Sequence, residues 1–137
     1  MQNNTRFNQL WTMTWLVYAS VPFIVGIDKF CFFLVDWYKY ASPFVLSILP
    51  YPYLTPVLGV MEIANGILML VNPRLGAFAI AGMYALICIN LLLLGGYYDI
   101  LMRDIAIGFS YLMFGLVTAV KERKDKENRN DNRHNAA

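Results

Sequence analysis

Four apolar runs divide the chain, and their lengths constrain its fold more than any other feature. Leu10–Ile27, Leu54–Val71 and Leu75–Leu94 are 18 to 20 residues long, and only the second holds a charge, Glu62. Crossing a hydrocarbon core takes about 20 residues at about 1.5 Å each, so each run fits one helix. The fourth, Ile105–Val120, offers 16 uncharged residues and reaches that length only by drawing in Leu101, Met102, Arg103 and Asp104. Spans over 10–27, 54–71, 75–94 and 101–120 therefore predict an all-α, integral membrane four-helix bundle embedded in a lipid bilayer. A soluble bundle would need a polar stripe on every helix, which these lack, and 58% hydrophobic residues in 137 is too apolar for a soluble domain of this size.

The basic residues orient the bundle. Four spans put both termini and the 72–74 turn on one side, with Arg6, Arg74, Lys121, Arg123, Lys124, Lys126, Arg129 and Arg133; the other side has Lys29, Lys39 and Arg103. Eight basic residues against three place both termini in the cytoplasm by the positive-inside rule. Residues 121–137 carry six basic and four acidic groups, hence the whole net charge of +2. That composition reads as a basic, largely disordered cytoplasmic tail that anchors topology. Its acids dilute the field a nucleic acid would need, so no nucleic-acid partner is expected. The first run is not read as a cleaved signal. Val17-Tyr18-Ala19 loosely resembles a cleavage site, but the run continues to Ile27 with no polar segment.

The connections are unequal. Asn72-Pro73-Arg74 is a minimal turn and Gly95–Asp99 is short, whereas 28–53 forms a long outer first loop. Trp37, Tyr38, Tyr40, Tyr51 and Tyr53 are residues that an aromatic belt uses at the headgroup level. Between Pro43 and Pro50 the chain is too short to span and reads as an interfacial half-helix. The loop either only anchors the bundle or forms a lid over a cavity.

Helical spacing sorts the polar and small residues. Gly59, Glu62 and Gly66, with Asn65 beside them, make one stripe; Asp104, Gly108, Tyr111, Gly115 and Thr118 make another; Ala77, Ala81 and Ala85 make a third. Small residues at such intervals let spans approach closely, so these read as packing faces. A carboxylate at membrane depth is costly unless paired, protonated or facing water, which makes Glu62 a functional-site candidate. Asn90 lies at a similar level, Asp28 and Lys29 close the first span at that end, and Arg103 and Asp104 open the fourth. All four helices thus send polar groups toward the outer half of the bundle. Two readings stay open: a structural network in which Lys29 or Arg103 neutralises Glu62, or a polar pocket that binds a small ligand or passes a proton.

Other chemistries lack their residues. The only histidine, His134, is in the tail, where it reads as a solvated residue, so histidine-pair haem ligation within the membrane is excluded and a zinc site is not expected. There is no G-x-S-x-G, glycine-rich phosphate loop or H-E-x-x-H. Cys31 and Cys88 are single cysteines in the outer half, free or bonded to each other, and not a C-x-x-C pair.

Gly26-Ile-Asp-Lys29-Phe, Gly59-x-x-Glu62-x-x-x-Gly66-Ile-Leu, Asn-Pro-Arg-Leu-Gly-Ala at 72–77 and Arg103-Asp104 together resemble the DoxX-like family of small bacterial membrane proteins, over about Leu10 to Val120. The resemblance implies a four-helix bacterial inner-membrane protein with Lys29, Glu62, Arg103 and Asp104 as shared polar positions, in a family named for a subunit linked to thiosulfate-to-quinone electron transfer. The long aromatic, proline-rich first loop departs from the compact members. Three functions follow: an accessory or ligand-binding subunit of a quinone-linked redox system, a small proton-coupled transporter, or a structural and assembly protein. The first is preferred, with no catalytic activity of the chain alone and a homodimer or redox-complex subunits as partners; quinone is one candidate ligand, alongside a lipid, a solute or a protein. Its candidate ligand-binding or proton-handling residues are Glu62, Arg103, Asp104, Lys29, Asp28, Asn65 and Asn90.

Overall fold

Helices begin and end where the sequence supplies a stop. In the computed structural model, which describes residues 2–135, α1 spans Gln2–Cys31, a 3-10 turn spans Trp37–Tyr40, and α2 spans Pro43–Ile48. The remaining helices are α3 (Tyr51–Val71), α4 (Pro73–Leu94) and α5 (Tyr98–Asn135). Phe32, at φ 52°, closes α1 in the left-handed conformation, where its N–H donates to the Asp28 carbonyl at 2.7 Å. Ser42 caps α2, its hydroxyl accepting from the Val45 N–H, and Asn72 ends α3 while its side chain caps α4 at Leu75. Gly95 and Gly96, at φ 69° and 107°, make the tight α4–α5 turn that a side chain would oppose.

Four of these helices are long and apolar enough to cross a membrane. Backbones approach closely between α1 and α3, α3 and α4, and α4 and α5. The ring is closed between α1 and α5 by side chains. Trp11 stacks on Phe114, Tyr18 packs on Tyr111, and the Tyr111 hydroxyl donates to the Tyr18 carbonyl at 2.9 Å. Trp11 also donates to Thr118 Oγ1 at 3.0 Å, and Trp15 to the Met69 carbonyl in the last turn of α3 at 2.8 Å, where helix carbonyls lack intrahelical partners. The stripes read from spacing are the buried faces. Gly59, Glu62, Gly66 and Met69 are buried on α3, and Asp104, Tyr111, Gly115 and Thr118 on α5. Ala77 is buried on α4, but Ala85 is exposed.

Two expectations need correction. The charged tail is helical: α5 runs unbroken through Val120 to Asn135, seeded by the preceding span, rich in helix-forming Lys, Glu and Arg, and braced by a Lys121–Asp125 pair one turn apart at 3.1 Å. The His134 side chain lies outside the described residues. The belt aromatics of the long loop also do more than sit outward. Tyr38 packs on Phe32 and Tyr51, Tyr40 on Tyr97, and Trp37 turns inward, so the loop folds over one end of the bundle, here called the loop end.

Candidate functional site

Two glycines build the site. A Cβ placed on Gly26 of α1 would lie 3.0 Å from the Gly59 carbonyl oxygen, and one on Gly59 of α3 would lie 2.9 Å from the Gly26 carbonyl oxygen. The backbones cross in contact there, as small residues allow. Lys29 and Glu62 each follow their glycine by three residues, so the crossing sets them side by side. Lys29 Nζ lies 2.7 Å from Glu62 Oε1, with both side chains at most 5% exposed. The second carboxylate oxygen, Oε2, is buried and among the described residues has no hydrogen-bond partner.

The loop covers this pair. Asp28 accepts the Leu34 N–H at 2.7 Å on one oxygen and the Trp37 indole N–H at 2.8 Å on the other. Held that way, the Trp37 ring lies with its centroid 3.8 Å from Lys29 Nζ, on the face where a cation is attracted. Asp28 therefore positions the lid and does not join the interior pair. Asn90 fastens the rest of the loop. Its side-chain oxygen accepts the Ser42 N–H at 2.9 Å, and its amide donates to the Tyr40 carbonyl.

The remaining candidates separate. Asp104 is buried on α5. Arg103 does not reach Glu62. Successive helix residues point about 100° apart, so with Asp104 turned inward Arg103 lies outside, 61% exposed, with its Nε 3.0 Å from the Asp104 carboxylate. Of the two cations that the sequence offered to Glu62, Lys29 meets it and Arg103 pairs with Asp104. Asn65 is half-buried, and its amide makes only a 3.5 Å contact with Met83 Sδ. Cys31 and Cys88 are both free. Among the described residues no group of three or more His, Cys, Asp or Glu could hold a metal ion.

Trp37 is the site residue that sequence reasoning missed. Its neighbours Tyr38 and Tyr40 and its place in a loop spoke for the membrane interface, and only the spacing of nine residues from Asp28 hinted at a return contact. Compared with protein-family models, with curated proteins and with solved structures, the chain has no match in any of the three.

Chemically, a buried ammonium–carboxylate pair beneath an aromatic lid can do two things. It can hold the helices in register, and it can offer the free Oε2 as an acceptor to a proton or to a hydroxyl entering under the lid. Buried polar atoms in folded proteins are nearly always satisfied, which makes that oxygen the chemically unfinished point of the site.

Proposed function

We propose that this chain is a multi-pass protein of the bacterial inner membrane, with both termini cytoplasmic, that serves as a non-catalytic, ligand-holding accessory subunit of a quinone-linked redox system. The observation that carries the reading is the buried Glu62 Oε2, unpartnered among the described residues, beside the Lys29 ammonium. A quinol hydroxyl is a donor that fits this oxygen, and a lipid-soluble carrier could approach it from the bilayer once Trp37 swings away. Glu62 and Lys29 would hold the headgroup, and the quinone would supply the electron chemistry. The eight-to-three distribution of basic residues supports the orientation, and the resemblance of four short motifs to those of DoxX-like proteins suggests the redox context.

A second reading has its own support. Burial of the pair, with both side chains at most 5% exposed, suits a clamp that fixes α1 against α3 and binds nothing. The test is Glu62→Gln, which keeps shape and hydrogen-bonding capacity but removes the titrating acceptor. The purified protein is exposed to a short-chain benzoquinol in detergent, and retention is read by native mass spectrometry. Retention by the parent and loss in a folded Glu62→Gln variant support the ligand-holding role. No retention by either leaves the clamp, and equal retention by both would mean that the quinol binds without the Glu62 carboxylate and would overturn its ligand-holding role.

A further inference from the structure

At the opposite end of the bundle a groove of about 380 Å³ opens between the first turn of α4 and the face of α5 that leaves the span. Its α5 wall changes character along one helical stripe. Leu116 and Val120 come first, 45% and 56% exposed, followed by Arg123 and Lys126. Arg74 faces this stripe from α4. From Leu116 to Lys126 is about 15 Å along the axis. The groove therefore passes from exposed hydrocarbon to convergent positive charge over the depth in which a phospholipid passes from acyl chain to phosphate.

The charge is available. Arg74 reaches Glu122 only at 3.6 Å, with both side chains substantially exposed, and among the described residues Arg123 and Lys126 have no acidic partner within 4 Å. Lys121, by contrast, is turned away, paired with Asp125 and lying 5.0 Å from the Trp11 ring. Three cations against one carboxylate leave the groove net positive. It exists only because α5 stays helical beyond Val120, since a disordered tail could not align Arg123 and Lys126 with Leu116 and Arg74.

We propose that this groove binds the headgroup of an anionic phospholipid, with Arg74, Arg123 and Lys126 on the phosphate and Leu116 and Val120 against the acyl chains. Basic pockets between spans recognise anionic lipid headgroups by this chemistry. The inference rests on the helices spanning a bilayer and is independent of any role for Glu62.

The experiment uses the full chain in a neutral detergent, with phosphatidylglycerol, phosphatidylcholine or inorganic phosphate added. Bound lipid is counted by native mass spectrometry and protection followed by thermal unfolding. The parent should retain one phosphatidylglycerol in preference to phosphatidylcholine, and inorganic phosphate should not substitute for it. R74Q/R123Q/K126Q should lose that retention, while K124Q/R129Q/R133Q, which removes three charges outside the groove, should keep it. Should the triple groove variant fail to fold, R123Q and K126Q alone should each weaken retention about fivefold. Equal retention of phosphatidylcholine, equal protection by inorganic phosphate, or equal loss in the two triple variants would each overturn the proposal. The first would mean acyl binding alone, the second a soluble-phosphate site, and the third a diffuse basic surface.

Discussion

Lys29 Nζ lies 2.7 Å from one carboxylate oxygen of Glu62, while the other oxygen is buried and has no partner among the described residues. The asymmetry means that the pair is closed by a single strong contact and by the Trp37 ring above the lysine. Such a pair adds little stability over a well-packed apolar substitute, but breaking one half leaves a buried charge uncompensated.

Lys29→Met should accordingly destabilise the protein by about 3–5 kcal/mol, read as a loss of thermal or denaturant stability in detergent. Lys29→Met combined with Glu62→Leu should recover most of that loss, because two apolar side chains of similar volume replace the pair. Simple additivity of the two single changes would show that they are not coupled.

Arg103→Ala should behave differently. The Arg103–Asp104 pair is exposed on the arginine side (61%) but not on the aspartate side (8%), so Arg103→Ala removes a solvated cation from a buried carboxylate. A stability loss smaller than that of Lys29→Met, whose two partners are both buried, is expected in the same assay. A loss as large as that of Lys29→Met would mean that Arg103 does neutralise the interior cluster.

That contrast shows what the sequence could and could not disclose. The four apolar helices were legible from run length, and the buried stripes of α3 and α5 from spacing at three and four residues, because helix period and membrane thickness are local properties. Glu62 was legible as an outlier for the same reason. Which cation meets it was not, since Lys29 and Arg103 lie at the same end and the choice depends on the Gly26–Gly59 crossing, a contact between segments 33 residues apart. Trp37 was misjudged because an indole suits both a headgroup belt and a lysine lid. The tail was misjudged because a charge-rich composition resembles disorder, whereas continuation from an existing helix avoids the cost of nucleation.

The glycine crossing can be tested directly. An alanine at Gly59 would bring its Cβ within 2.7 Å of the Phe30 ring and 2.9 Å of the Gly26 carbonyl oxygen. Gly59→Ala should cost about 1–3 kcal/mol through overpacking, since the backbone oxygen cannot turn aside. Gly82→Ala, whose Cβ meets nothing within 4 Å, should be neutral or stabilise by up to about 1 kcal/mol. Equal effects at the two positions would mean that α1 and α3 do not approach as closely as described.

The loop should loosen when its fastening is cut. Asn90→Ala removes the acceptor for the Ser42 N–H and the donor to the Tyr40 carbonyl, leaving two backbone groups to be satisfied by water. Hydrogen exchange should rise in residues 34–50 with little change in α4 and α5. Unchanged protection in that segment would show that the loop is held by its aromatic contacts and the Asp28 hydrogen bonds without Asn90.

The orientation is open to labelling at native and introduced cysteines. Cys31 is exposed at the end of α1 on the loop side, and Cys88 is partly buried, so a Cys88→Ala variant presents one accessible thiol at that end. If the eight-to-three bias of basic residues sets the topology, a membrane-impermeant maleimide should modify Cys31 in intact bacterial cells. Arg129→Cys in a Cys31→Ala/Cys88→Ala background should be modified only after the cells are opened. Arg129 sits on the exposed, charged part of α5, so poor access cannot explain protection there. Labelling of position 129 from outside, with Cys31 protected, would invert the bundle and move both the Glu62 site and the basic groove to the opposite leaflets. Labelling of both positions in intact cells would put the two ends of the bundle on one side and rule out a four-span protein.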